Sequence, residues 1–103
     1  MARVTWTEQA LGNLEKLADH LEQWRPSSVG PLVRRVFAAA HRLEDFPHMG
    51  RVVPERRLPN LRELIVDGHR VVYRIEGETI WILNVHPARS DADSLLRNLE
   101  LDD

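Results

Sequence analysis

Seven arginines carry most of the chemistry this sequence offers: Arg51, Arg56 and Arg57 in GRVVPERRLP, Arg62, Arg70 and Arg74 in LRELIVDGHRVVYRI, and Arg89 after His86-Pro87. From His48 to Arg74 six arginines face three acids, Glu55, Glu63 and Asp67. Converging guanidinium groups recognise carboxylate or phosphate through paired N–H donors, so the basic middle of the chain is open to an anionic partner. Cleaving RNA would demand more: a base for the 2′-hydroxyl proton, an acid for the leaving oxygen and cations for the phosphorane charge. Arginine supplies only the cations. His86 is an acid–base candidate if a hydrogen-bond partner lies within reach, and a residue of a structural turn otherwise. Tyr73 is a poor acid candidate, because its strand parity turns it toward the core with Val71 and Ile75. His69 directly follows the Asp67-Gly68 turn, where exposure is the simple reading and presentation to a partner the alternative, and His20 and His41 fall on solvated or boundary helix positions. Of the fourteen basic residues only Lys16 is a lysine, which either bidentate anion recognition or a GC-rich genome explains. No phosphate-loop, dinucleotide or HExxH-type pattern is present, so neither a metal nor a cofactor is expected.

The elements that must position these residues follow from apolar periodicity. Arg3-Val4-Thr5-Trp6 is β-prone, and Thr7 before Glu8 and Gln9 predicts a helix N-terminus. Ala10, Leu14, Leu17, Ala18 and Leu21 form one buried stripe up to about Trp24, where Arg25-Pro26 breaks the pattern. Val29, Leu32, Val33, Val36, Phe37, Ala40 and Leu43 form a second stripe, capped by Ser27 or Ser28, with Pro31 tolerated in the first turn. The short connection makes the two helices an antiparallel hairpin, whose apolar face needs a covering layer. Phe46 to Pro59, with three prolines and a glycine, reads as a loop. Leu61–Val66, Arg70–Ile75 and Ile80–Val85 are β-rich runs separated by Asp67-Gly68 and Glu76-Gly77-Glu78, the signature of an antiparallel meander. One face of it packs on the helices and the other carries Arg70 and Arg74. Asp91 with Leu95, Leu96 and Leu99 predicts a short C-terminal helix. Trp6, Trp24 and Trp81 read as packing residues, Trp24 being the most exposed. The expected fold class is α+β: a short N-terminal strand and a helical hairpin packed on a three- to four-stranded, mainly antiparallel sheet.

The 103 residues suit one domain spanning 1–103. A hydrophobic fraction of 43% and a charged fraction of 29% are those of a folded soluble protein. No apolar run approaches the roughly eighteen residues of a membrane span, and MARVTWTEQA lacks the features of a secretory signal, so a cytoplasmic location is expected. The absence of cysteine removes disulfides, thiolate metal sites and cysteine nucleophiles. The formal charge of −2 is unevenly spread, the tail LELDD being acidic.

Three pieces in order, Phe46-Pro47-His48-Met49-Gly50-Arg51, Gly68-His69-Arg70-Val71-Val72-Tyr73-Arg74 and Asn84-Val85-His86-Pro87-Ala88-Arg89, carry a resemblance over nearly the whole chain. The sequence resembles the RelE/ParE superfamily of type II toxin–antitoxin toxins. That resemblance implies a growth-inhibiting toxin held silent in a hetero-oligomer by a cognate antitoxin. RelE-like members cut messenger RNA on the ribosome with a cluster of basic residues and usually a C-terminal tyrosine; ParE-like members are associated with plasmid stabilisation and inhibition of DNA gyrase, and lack the cluster. Arg62 and Arg70 fall at RelE-type basic positions and Arg89 lies near another, with His86 beside it as a proton-transfer candidate. Leu64 stands where a second strand lysine would be, and no tyrosine follows. The Phe-Pro-x-x-Gly-Arg piece and the His86 ending look more like ParE. The ParE-like branch is therefore favoured, with DNA gyrase as partner and the ribosome with its message as the alternative. Arg51, Arg56, Arg57, Arg62, Arg70, Arg74 and Arg89 are the expected target- or antitoxin-binding residues. Replacing Arg62, Arg70 and Arg89 by alanine is expected to abolish toxicity with little change in melting temperature.

Overall fold

The computed structural model describes residues 1–88. Strand β1 (Arg3–Trp6) leads into helix α1 (Glu8–Trp24); a 3-10 turn (Pro26–Ser28) connects to helix α2 (Val29–Arg42); and four strands follow, β2 (Arg51–Val52), β3 (Leu61–Val66), β4 (His69–Glu76) and β5 (Thr79–Pro87). They form one sheet in the order β1-β5-β4-β3-β2, with β1 parallel to β5 and the remaining neighbours antiparallel. The α+β reading holds. The sheet has one strand more than the three or four expected, because Arg51 and Val52 pair with Glu63 and Arg62 inside the proline-rich stretch read as loop. The expected helix from Asp91 onward lies outside the described residues.

Local chemistry sets the junctions. Thr7 Oγ1 accepts the Ala10 N–H at 3.1 Å, capping α1, and donates its own proton to the Ile82 carbonyl at 2.7 Å, which fixes the helix start against β5. Ser28 caps α2 by position alone, with no side-chain bond. In the β3–β4 turn Asp67 and Gly68 both have positive φ, 49° and 77°, as a two-residue type I′ loop requires. Arg35 Nη1 meets Asp67 Oδ2 at 2.7 Å and ties α2 to this turn.

The core lies between the helical hairpin and one sheet face: Ala10 and Leu14 from α1, Leu32, Val36 and Ala40 from α2, Leu43 beyond it, and Val71, Tyr73, Ile80, Ile82 and Val85 from the sheet. Burying each large aliphatic chain stabilises the fold by about 1.5–3 kcal/mol. On β5 the buried positions run Ile80, Ile82, Val85 instead of alternating strictly. A bulge is the reason: Tyr73 pairs with Ile82 and Val72 with Asn84, leaving Leu83 as the extra residue. Asn13 Oδ1 accepts the Val85 N–H at 3.1 Å and docks α1 beside the bulge. Trp6 packs on Phe37 with ring centroids 4.6 Å apart, and Trp24 is exposed as expected. Among the described residues no helix is long and apolar enough to cross a membrane.

Candidate functional site

Residues directly opposite on paired strands share a face. Arg51 is opposite Glu63, Glu63 opposite Val72, and Arg70 opposite both Ile65 and His86, so these residues occupy the face away from the helices. The Glu63 carboxylate is the hub. Its side chain is fully buried, with Arg51 Nε and Nη2 each 2.7 Å from Oε2. Arg70 Nε lies 2.9 Å from Oε1, off the hydrogen-bond axis, so this contact is an ion pair without an aligned N–H. Arg70 Nη2 reaches Glu55 Oε2 at 3.2 Å. Two arginines and two glutamates thus form a neutralised chain across β2, β3, β4 and the loop. The Glu55 carboxyl is held below its ordinary range chiefly by a bond to its own backbone N–H; burial opposes this, and Arg70 and Arg51 reinforce it.

A second constellation joins two of the sequence pieces physically. Tyr73 is fully buried; its hydroxyl donates to the Pro47 carbonyl at 2.7 Å and accepts the Gly50 N–H at 2.9 Å. Burial pushes its phenol pKa up, against smaller lowering effects of the Gly50 N–H and the Arg62 charge. Arg62 donates to the carbonyls of Pro59 at 2.9 Å, Gly50 at 2.9 Å and, more weakly, His48 at 3.4 Å. Gly50 is required by space: a Cβ there would stand 2.5 Å from the Glu63 carbonyl and 2.8 Å from the Tyr73 hydroxyl. The Phe-Pro-x-x-Gly-Arg and Gly-x-Arg-x-x-Tyr pieces are two halves of one clamp.

The seven arginines therefore separate. Arg51 and Arg70 share the outer face with Arg74, which is exposed and 3.4 Å from Glu76. Arg62, opposite the core residue Tyr73, has the other parity and works at the sheet edge as a carbonyl clamp. Arg56 and Arg57 are exposed on the loop. Arg89 lies outside the described residues. His86 is half-buried on the outer face, across from Arg70. His69 is half-buried instead of exposed, its Nδ1 covered and without a hydrogen-bond partner among the described residues. Glu63, one of the three acids among the arginines, and Gly50, within the Phe-Pro-x-x-Gly-Arg piece, have no role assigned from sequence. Glu63 had a visible cue, a lone acid inside a β-prone run between Arg62 and Leu64, but its partners become readable only from the strand register. With Arg62 and Arg70 both committed to structural bonds, alanine at Arg62, Arg70 and Arg89 is expected to lower the melting temperature, which revises the expectation from sequence.

A helical hairpin on a five-stranded sheet with a parallel N-terminal edge strand defines a fold shared with chains of solved toxin–antitoxin systems. A chain described as the chromosomal ParDE TA system from P. aeruginosa superposes with a TM-score of 0.71 at 22% identity, covering 84% of this chain and 96% of that one. A chain of the RelBE2 toxin–antitoxin complex from Mycobacterium tuberculosis superposes with a TM-score of 0.55 at 24% identity, again over 84% and 96%. In sequence, Toxin RelE2 of Caulobacter vibrioides is 32% identical over 86% of this chain and 99% of its own length. Toxin ParE3 of the same organism is 32% identical over 86% and 89%. Residues 4–92 match the family described as ParE toxin of type II toxin-antitoxin system, parDE. The chain belongs to that ParE toxin family, within the RelE/ParE superfamily of type II toxins.

Proposed function

We propose that this toxin acts in the cytoplasm by binding DNA gyrase, without cutting RNA, and that a cognate antitoxin silences it in a hetero-oligomer. The carrying observation is the commitment of Arg62, Arg70 and Tyr73. Arg62 and Arg70 occupy the RelE-type basic positions, yet one clamps loop carbonyls and the other neutralises buried Glu63. Cations held by carbonyl or carboxylate oxygens in the ground state are poorly placed to take up the charge of a phosphorane. Tyr73, with its hydroxyl used in both directions inside the protein and its pKa raised, is a poor general acid. A rigid polar surface for protein binding fits this arrangement better.

The ribonuclease reading retains one supporting observation, the half-buried His86 opposite Arg70 on the outer face, and the RelE-named relative is as similar as the ParE-named one. One experiment separates the two: purified toxin is assayed for inhibition of gyrase supercoiling and, in parallel, for cleavage of ribosome-bound message. The expected result is gyrase inhibition with intact message. Message cleavage with normal gyrase would sink the proposal and turn attention to His86.

A further inference from the structure

Among the arginines from Arg51 to Arg74, Arg56 and Arg57 stand apart from Arg51, Arg62, Arg70 and Arg74. Both are exposed, and among the described residues neither makes an ion pair or a side-chain hydrogen bond. Their backbone, in contrast, is fixed. The N–H groups of Arg56 and Arg57 both donate to the Val53 carbonyl, at 3.2 and 3.0 Å; Val53 N–H donates to Leu61 O at 3.0 Å, and Leu61 N–H returns to Leu58 O at 3.0 Å. The Val53 side chain is buried beneath the turn. Arg57 is held at φ 54°, a left-handed conformation that a long L side chain adopts only when its surroundings impose it.

The backbone bonds to Val53 close the turn, and two sheet arginines flank it. On one side of the tip Arg70 grips Glu55 at 3.2 Å, and on the other Arg62 Nε holds the Pro59 carbonyl at 2.9 Å. Between these anchors the chain presents two uncommitted guanidinium groups and Leu58, which is 54% exposed. Residues 53–60 contain no aromatic side chain, so the tip offers no platform for stacking bases. Preorganised arginines beside an apolar side chain suit a protein surface that pairs carboxylates with a hydrophobic patch.

We infer that Arg56, Arg57 and Leu58 form the contact with which the toxin grips an acidic surface of its protein target, while Arg62 and Arg70 hold that contact in shape. This rests on the reading that the target is a protein. The test uses the full chain and two double variants, Arg56→Glu with Arg57→Glu and Arg56→Lys with Arg57→Lys. Melting temperature, gyrase supercoiling, growth arrest on induction and binding of a short DNA duplex are measured for each. The glutamate pair is expected to melt as the wild type does and to need at least about tenfold more protein for half-inhibition, as for loss of a charged hot spot. The lysine pair, keeping charge without the planar fork, is expected to fall between. A folded glutamate pair that inhibits gyrase and arrests growth like the wild type overturns the inference. So does tight duplex binding that these arginines alone provide, since the tip would then be a nucleic-acid contact. Growth arrest by the wild type without gyrase inhibition defeats the gyrase reading only; the tip is then judged by whether the glutamate pair loses arrest.

Discussion

Gly50 and Tyr73 show how little space the clamp leaves. Adding a methyl group in Gly50→Ala forces the backbone away from the Glu63 carbonyl and the Tyr73 hydroxyl. The expected cost is about 2 kcal/mol, read as a drop of roughly 10 °C in melting temperature for a domain this size. Tyr73→Phe removes the hydroxyl that bridges Pro47 and Gly50 and leaves a buried N–H without its acceptor, at about 1–3 kcal/mol by urea denaturation. The same variant has a pH signature. Because burial raises the folded-state pKa of Tyr73 above its ordinary 10.0, its contribution is complete below that value and is lost as pH rises through the folded pKa. Stability of the phenylalanine variant should fall less steeply on the alkaline side, and an identical decline in both proteins would contradict the hydroxyl's role.

At the scale of elements, the edge strand β2 is only two residues long, and backbone pairing alone is a weak hold on it. The Arg51–Glu63 pair fastens it to β3. Glu63→Ala withdraws the carboxylate from Arg51 and from Arg70, whose side chain is 13% exposed. Breaking a buried pair costs about 3–5 kcal/mol; Arg51 can turn to water, so a loss near 2–3 kcal/mol is expected in thermal unfolding. The loop anchor Glu55–Arg70 is more exposed and weaker, on the order of a fraction of a kcal/mol. Since the Glu55 pKa is depressed below 4.5, its contribution is present at neutral pH and disappears as pH falls through the folded value. Amide exchange at Arg56 and Arg57 should therefore quicken, relative to the intrinsic rate, on acidification. In Glu55→Gln that pH dependence should be absent, and its persistence would assign the loosening to another group.

For the whole molecule, the outer sheet face acts as a frame and the loop as what the frame presents. Alanine at Arg62, Arg70 and Arg89 together should reduce growth arrest and also lower the melting temperature, by roughly 4–8 °C for each kcal/mol lost. Circular-dichroism melts alongside growth curves would show it; an unchanged melting temperature would mean that the bonds of Arg62 and Arg70 contribute nothing to stability. Loss of toxicity in that variant therefore reports on folding as well as contact, whereas substitutions at exposed Arg56 and Arg57 separate the two. In this arrangement Arg51 and Arg70 on the outer sheet face are balanced by Glu63 and Glu55, while Arg56 and Arg57 stand exposed on the loop beside them.

The amino-acid sequence by itself determined what depends on neighbours in the chain. The stripes of α1 and α2, the Thr7 cap and the positive-φ turn at Asp67-Gly68 are set by three- and four-residue spacing, one hydroxyl and one glycine, so they were legible without coordinates. The inward parity of Tyr73 was legible for the same reason. Only the tertiary structure decided which arginines share a face and what each one binds. Those answers depend on cross-strand register, where a shift of one residue reverses every side chain. The extra residue Leu83 in the β5 bulge makes such a shift: it buries Val85 and turns His86 outward beside Arg70. The pairing of β2 inside a proline-rich stretch, and the buried Glu63 that pairs with two arginines, were equally out of reach, because both arise between segments that meet only when the sheet closes.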